Sequence, residues 1–267
     1  MAKVGLIAGS GSFPLRFAES ARAAGHEVIA AAHVGETDPA IERLAHATTW
    51  VHVGQFGKIV RFFRAAGVEE AAMAGGITKV RVFGGLRPDL LALKYAARLT
   101  TWNDDGLLRF IAGMFEAEGF RIIDSTRFCP DILSREGPYT KRRVDEKEAA
   151  DIALGLQVAR ALGAVDVGQT VCVKGGSVVA VEAVEGTDAC LRRAGALAGK
   201  GVVVVKTAKP QQDMRFDVPT VGPQTIAVCA EIGAAVLAVE AGRTLVLDED
   251  ETVRRAERAG IALLGVS

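Results

Sequence analysis

Aromatic side chains are scarce in this chain, at 6% of 267 residues. A platform for stacking the bases of single-stranded nucleic acid is therefore not expected. Neither sign of charge is in excess: 32 lysines and arginines balance 32 aspartates and glutamates. No basic run stands out, so nucleic acid is not expected as a partner. No apolar run approaches the ~20 residues a membrane-spanning helix needs. Met1–Pro14 has a single lysine followed by a glycine-rich turn, which is not the plan of a signal peptide. The four cysteines (Cys129, Cys172, Cys190, Cys229) stand singly, with no Cys-x-x-Cys pair. That pattern points to reduced, buried thiols in a cytoplasmic protein.

Histidine is limited too. His26, His33, His46 and His52 all precede residue 53, and none has the spacing of a metal-binding pair. The Asp-x-His and Gly-Asn-His clusters of calcineurin-like phosphoesterases are missing. So are a Walker A loop, a Gly-x-Ser-x-Gly elbow and a nudix-type glutamate cluster. A hydrolase built from this chain would rely on carboxylates and Mg²⁺, a hard cation that binds one or two carboxylates plus substrate phosphates.

What is present is an ordinary globular composition, 49% hydrophobic and 24% charged, in a chain long enough for two domains. The first half alternates strands and helices. Strands are expected at 4–8, 28–32, 48–53, 70–74 and 120–123, with helices at 15–24, 56–66, 88–99 and 105–117. Strands separated by helices of this length predict a parallel sheet with right-handed crossovers. The polar, charge-rich stretch Ser134–Lys147 interrupts the pattern. We therefore expect an N-terminal domain over 1–133, a linker over 134–145 and a C-terminal α/β domain with a mixed sheet over 146–267. In the latter, a helix at 146–162 should stop at Gly163, and a hairpin should turn at 174–177. Later helices are expected at 187–196, 225–232 and 251–259, with strands at 202–205, 235–239, 245–247 and 261–264.

Two regions carry candidate chemistry. Gly9-Ser10-Gly11-Ser12 follows the first strand and opens the first helix, where backbone N–H groups and the helix dipole favour a phosphate. Pro14 at the third glycine position departs from the dinucleotide fingerprint, which leaves a tight turn as the competing explanation. Gly54–Lys58 and Gly75–Lys79 follow other strands of the same sheet, and Lys58 or Lys79 could reach the same ligand or be solvated. The second region, Lys206–Pro223, mixes Lys206, Lys209, Gln212, Asp213, Arg215 and Asp217 after an apolar strand. Cations beside carboxylates suit a phosphorylated ligand, and a solvated loop is the plainer alternative. Asp105 sits at a helix start, where an aspartate caps without any ligand. Glu182, Thr187 and Asp188 lie on a strand-to-helix connection with more carboxylates than capping requires.

Seven motifs in order resemble one family: Gly5–Pro14, Gly57-Lys58, Asp104-Asp105-x-Leu-Leu, Asp166–Gln169, Val181–Asp188, Lys206-x-x-Lys-Pro-x-Gln-Asp-x-Arg-x-Asp-x-Pro-x-x-Gly222 and Glu240-Ala-Gly242. The chain is similar over nearly its whole length to the UDP-2,3-diacylglucosamine pyrophosphatases of the non-calcineurin type, from Gram-negative bacteria. The resemblance implies hydrolysis of UDP-2,3-diacylglucosamine to UMP and 2,3-diacylglucosamine 1-phosphate (lipid X) in lipid A biosynthesis. It further implies Mg²⁺ dependence, a peripheral location at the cytoplasmic face of the inner membrane, and a homodimer. A Rossmann-like N-terminal domain would be associated with the UDP part, and the second domain with the acylated sugar.

On this alignment Asp217 is the essential aspartate and a Mg²⁺ ligand, with Asp213 and Asp105 as further ligands. An aspartate of ordinary pKa is a poor general base at neutral pH, so the Mg²⁺ role is the natural one. Lys206, Lys209 and Arg215 would neutralise phosphate charge during catalysis. Gly9, Ser10, Gly11, Ser12, Lys79, Glu182, Thr187, Asp188 and Gln212 would contact substrate. A non-catalytic nucleotide-sugar or phospholipid-binding module keeps the glycine loops without needing paired acids and bases. An NAD(P)-dependent oxidoreductase is a third reading.

Overall fold

The computed structural model describes residues 2–77, 86–96, 104–216 and 218–267, without the side chains of 96, 104 and 105. Two units emerge: Met1–Pro130 with Asp213–Asp217, and Asp131–Gln212 with Val218–Ser267.

The first unit is built on a parallel sheet in the order β3-β2-β1-β4-β5. Its strands are β1 (Lys3–Ala8), β2 (Glu27–His33), β3 (Ala47–Val51), β4 (Glu70–Ala74) and β5 (Arg121–Ile122). Both faces of β1 and β2 are buried, which is why these strands read as continuous apolar runs. The helices are α1 (Phe13–Ala23), α2 (Ile41–Leu44), α3 (Phe56–Ala66), α4 (Leu90–Ala96) and α5 (Asp104–Ala117). Helix α3 ends on Gly67 in the left-handed conformation, as its sequence predicts. Phe56, Ile59, Val60 and Phe63 pack from α3 against Phe115, Phe120 and Ile122. Phe216 joins the same core, buried to 1% exposure, although it lies far along the chain.

The strand order reverses direction between β1 and β4, so the loops after these two strands flank the switch point where such sheets take ligands. Here the two loops bind each other. Gly9 donates its N–H to Ala74 O (2.8 Å), and Ser10 donates both its N–H (2.7 Å) and its hydroxyl (2.9 Å) to Gly76 O. A Cβ on Gly9 would overlap the Gly76 carbonyl oxygen. Gly9 is thus needed for close loop-to-loop packing whether or not a phosphate binds.

The second unit has a six-stranded sheet in the order β6-β13-β11-β9-β7-β8. It comprises β6 (Gly137–Pro138), β7 (Thr170–Lys174), β8 (Ser177–Val181), β9 (Val203–Lys206), β11 (Val236–Glu240) and β13 (Ala262–Val266). Strands β9, β11 and β13 are parallel, while β7 runs antiparallel to both β9 and β8. A separate parallel pair joins β10 (Thr220–Val221) to β12 (Leu245–Val246).

Helix α6 (Glu146–Ala164) covers one face, and α7 (Thr187–Ala198), α8 (Pro223–Glu231) and α9 (Glu249–Ala259) cover the other. Helix α6 starts in a capping box in which the Asp145 side chain accepts from Glu148 N and the Glu148 side chain accepts from Asp145 N. Gly163 does not stop α6 but lies inside its last turn. There the missing Cβ admits Lys209, whose Cα would sit 3.2 Å from one. Residues 134–145, expected as a linker, carry structure within this unit. Gly137 and Pro138 pair with β13, and Tyr139 is buried in the core.

Candidate active site

In the second unit the chemistry gathers at one end of the sheet. Parallel strands β9 and β11 finish there with Lys206 and Glu240. Antiparallel β7 starts there, with Thr170 opposite Lys206, and β8 finishes there just before Glu182. The alternating strand directions therefore bring a lysine and two glutamates from distant parts of the sequence to a single edge. All three are buried: Lys206 is 7% exposed, Glu182 9% and Glu240 7%. Such burial is uncommon for these residues and is tolerated only with specific partners.

Lys206 Nζ donates to Thr187 Oγ1 at 3.0 Å, and Thr187 Oγ1 donates to Glu182 Oε1 at 2.9 Å. Thr187 is the first residue of α7, so the helix start stands beside the ammonium. The other Glu182 oxygen, the Thr170 and Thr207 hydroxyls and the Gln169 side-chain amide oxygen are buried with no partner among the described residues. Asp188 is half-buried next to Thr187. Glu185, by contrast, is taken up by Arg193 at 2.5 Å, and a hydrogen bond from its own backbone N–H, followed by that contact, holds its carboxyl below the usual range.

The loop after β9 is braced from several sides. Lys209 Nζ lies 2.5 Å from Asp166 Oδ1, and both side chains are largely buried. Glu240 Oε2 accepts the Ala208 N–H at 2.9 Å, and Arg243 donates to Lys209 O at 2.9 Å. Gln212 closes a turn, donating its N–H to Lys209 O (2.9 Å) while its side-chain oxygen faces Lys209 N (3.4 Å). Lys206 and Lys209 thus differ. The charge of Lys209 is matched at close range by Asp166, whereas Lys206 leans on a neutral hydroxyl. The sequence motifs around Asp166 and Glu240 now have a structural account, although neither residue was expected at the site.

In the first unit, Asp213 and Arg215 engage each other. Arg215 contacts Asp213 through Nε (3.0 and 3.1 Å) and a terminal nitrogen (2.7 Å), and reaches Glu116 at 2.8 Å. The hydrogen bonds from Arg215 hold the Asp213 carboxyl below the ordinary aspartate range. As drawn, Asp213 offers its oxygens to a guanidinium, and among the described residues no group of three His, Cys, Asp or Glu stands ready for a metal.

Gly11 has open space beside it at the start of α1, where Ser12 takes the N-cap position. His33, at the end of β2, is buried with Nδ1 2.8 Å from Ala8 O, and burial lowers its pKa. Since a carbonyl only accepts, the Nδ1 proton points at Ala8. Asp217 and Lys79 lie outside the described residues, as does the side chain of Asp105 in α5.

A surface concavity lined by Arg142, Arg192, Lys200 and Glu231 lies at the opposite ends of β9 and β11 from Lys206. It lacks the buried polar groups that distinguish the Lys206 edge.

The fold and this edge define a two-unit α/β protein with a buried cation and carboxylates at the carboxyl ends of parallel strands, the position where such sheets place their ligands. The comparisons with known proteins supply the family. Residues 3–132 match the LpxI N-terminal domain and 135–264 the LpxI C-terminal domain, so the chain belongs to the LpxI family. It is 37% identical over 277 aligned positions to the UDP-2,3-diacylglucosamine pyrophosphatase LpxI of Caulobacter vibrioides, covering 100% of this chain and 98% of that one.

Solved structures give only distant likenesses. One is the biotin carboxylase domain of a thermophilic 2-oxoglutarate carboxylase, at 14% identity and TM-score 0.28, covering 74% of this chain and 33% of that one. Another is phosphoribosylglycinamide synthetase from Anaerococcus prevotii, at 10% identity and TM-score 0.24, covering 67% and 38%. The chain spans about a third of the length of these structures, and likeness at this level carries no argument.

Proposed function

We propose that this protein hydrolyses the pyrophosphate bond of UDP-2,3-diacylglucosamine, releasing UMP and 2,3-diacylglucosamine 1-phosphate for lipid A biosynthesis. The observation that carries the reading is family membership along the full chain, with a pyrophosphatase relative at 37% identity. The buried Lys206 edge supports it. Hydrolysis of a pyrophosphate is largely a matter of positioning and of charge neutralisation on the phosphoryl oxygens. An ammonium whose one partner among the described residues is a neutral hydroxyl is suited to that task.

In this reading Lys206, Lys209 and Arg215 each neutralise phosphate charge. Asp217 would hold Mg²⁺ or orient the water. Gly11 and Ser12 at the start of α1, with Gly9, Ser10 and Lys79, serve the UDP part. Glu182, Thr187 and Asp188 contribute contacts to the sugar or support the groups that bind substrate, and Gln212 contacts substrate.

The donor chemistry suits Mg²⁺ at Asp217: a hard carboxylate oxygen supplemented by substrate phosphates is how this ion is usually bound. Among the other expected ligands, Asp213 would first have to release Arg215. When bound, Mg²⁺ would neutralise charge on the phosphate oxygens. No described helix is long and apolar enough to cross a membrane. With a diacylated substrate, we place the protein peripherally on the cytoplasmic face of the inner membrane, as a homodimer.

The test is UMP release from UDP-2,3-diacylglucosamine by the purified protein. Asp217→Ala should abolish turnover while substrate still binds, and exhaustive EDTA should stop the wild type. Asp217→Ala turning over at the wild-type rate would sink the assignment of that residue. Activity that survives EDTA would remove Mg²⁺. Substrate binding without any UMP release by the wild type would favour the non-catalytic module.

A further inference from the structure

The Lys206 ammonium is buried, and its one protein hydrogen bond among the described residues is to Thr187 Oγ1, at 3.0 Å. Chemistry fixes the direction of every bond in this chain. An ammonium can only donate, so the Thr187 oxygen accepts and its proton must go elsewhere. Glu182 Oε1 lies 2.9 Å from it, and an ionised carboxylate can only accept. Thr187 is therefore oriented, with its proton toward Glu182 and a lone pair toward Lys206.

Three observations separate this arrangement from ordinary helix capping. The cap position of α7 is Gly186, and no side-chain cap bond is formed there. Glu182 Oε2 is buried without a partner among the described residues, whereas a carboxylate retained only for the fold would normally have both oxygens satisfied. The third is that Lys206 is buried with two of its N–H groups unused among the described residues, ready for an oxygen supplied by a ligand.

We propose that Glu182 and Thr187 form a positioning relay that orients the Lys206 ammonium toward an anionic phosphate oxygen of the substrate. Glu182 acts through Thr187 and is not a catalytic residue. The relay itself rests on the geometry of this unit, and its effect on turnover rests on the hydrolase reading above. Removing the Thr187 hydroxyl leaves the charge on Lys206 but frees its direction. The loss should fall on kcat, because a charge that develops in the transition state is served only by a correctly placed donor.

Two measurements test the relay separately from the reaction. The first is the ¹⁵N–¹H NMR signal of Lys206 Nζ in the ligand-free protein. It should be protected from solvent exchange in the wild type and in Thr187→Ser, and lost to exchange in Thr187→Val. The second is UMP release. Thr187→Val should lower kcat on the order of 10- to 100-fold with KM within about twofold, and Thr187→Ser should restore most of it. Glu182→Gln keeps an acceptor for the Thr187 proton and should fall between them in both measurements, which also covers the case of Thr187→Val failing to fold. An unchanged Lys206 signal in Thr187→Val and Glu182→Gln would overturn the relay, as would a loss of thermal stability alone with kcat intact. If the signals behave as expected but the wild type releases no UMP, the relay stands and the hydrolase reading falls.

Discussion

Glu240 is the residue on which the loop that follows Lys206 and carries Lys209 should depend most. It ends β11 at 7% exposure and accepts the N–H of Ala208, itself 1% exposed, at 2.9 Å. Its other oxygen lies 3.4 Å from Arg160 and 3.9 Å from Arg243. Glu240→Ala leaves a buried backbone donor without its acceptor, a loss of about 1–3 kcal/mol. The two ion pairs involve arginines more than a third exposed, so each adds only about 0–1 kcal/mol. The sum is about 1–5 kcal/mol.

Glu240→Gln keeps a carbonyl oxygen for Ala208 and loses the charge assistance of that bond, about 0.5–1.5 kcal/mol, together with the same two ion pairs. Hydrogen exchange of the Ala208 amide reads the local opening directly, and urea unfolding gives the wider effect. The alanine variant should exchange roughly 10-fold faster than the glutamine variant, the ratio equivalent to about 1.4 kcal/mol. Equal exchange in the two variants would mean that the Glu240 oxygen does not hold the loop, and the reasoning would be refuted.

Three further outcomes follow from the packing and the titrating groups. A methyl on Gly155 would lie 2.5 Å from Val205 Cγ2. Gly155→Ala should therefore destabilise the second unit by about 1–3 kcal/mol, despite better helix propensity, and Val205→Ala should recover part of the loss; a neutral Gly155→Ala in urea unfolding would contradict this packing. Arg215 depresses the Asp213 pKa, so the pair contributes stability above the unfolded value of about 3.9 and loses it as pH falls through the lower folded value. Arg215→Met should raise the Asp213 midpoint in a carboxyl NMR titration, and an unmoved midpoint would remove the pairing. All four cysteines are buried, and burial pushes the Cys229 thiol up to about 12. Alkylating reagents at pH 7 should label them only after urea unfolding; rapid labelling of Cys229 in the folded protein would contradict its burial.

The sequence was most legible where a single local signal sufficed. Helix Phe56–Ala66 and strand Glu70–Ala74 match their expected bounds because amphipathic periodicity and Gly67 mark the limits. The hairpin is in place, and Asp151 accepts the N–H groups of Gly175 (2.8 Å) and Gly176 (2.6 Å) at its turn. Legibility failed where the deciding partner is distant. The strand expected at 245–247 pairs with Thr220–Val221 in its own small sheet, a two-residue contact without a periodic signature. Gly163 reads locally as a helix stop, but its neighbour in space is Lys209. Helix Ile41–Leu44 is too short for periodicity to reveal. At the site, composition named Lys206 and Lys209 together. Only tertiary structure separates the lysine paired with Asp166 from the one resting on Thr187.

Phe216 has a consequence for synthesis. The first unit takes its sheet and helices from the first 130 residues but also contains residues 213–216. Phe216 is in its core, and the Met214 carbonyl accepts the Ser125 N–H and hydroxyl at 3.4 and 3.2 Å. A ribosome releases chain from the N-terminus at about 5–20 residues per second. The N-terminal unit therefore emerges first yet waits several seconds for its last core side chain, while most of the second unit is still being made. A cut at the family-model boundary, between 132 and 135, would strand that side chain on the wrong fragment. Chaperone dependence and poor solubility of the isolated N-terminal piece are the expected signs of a core that is completed late.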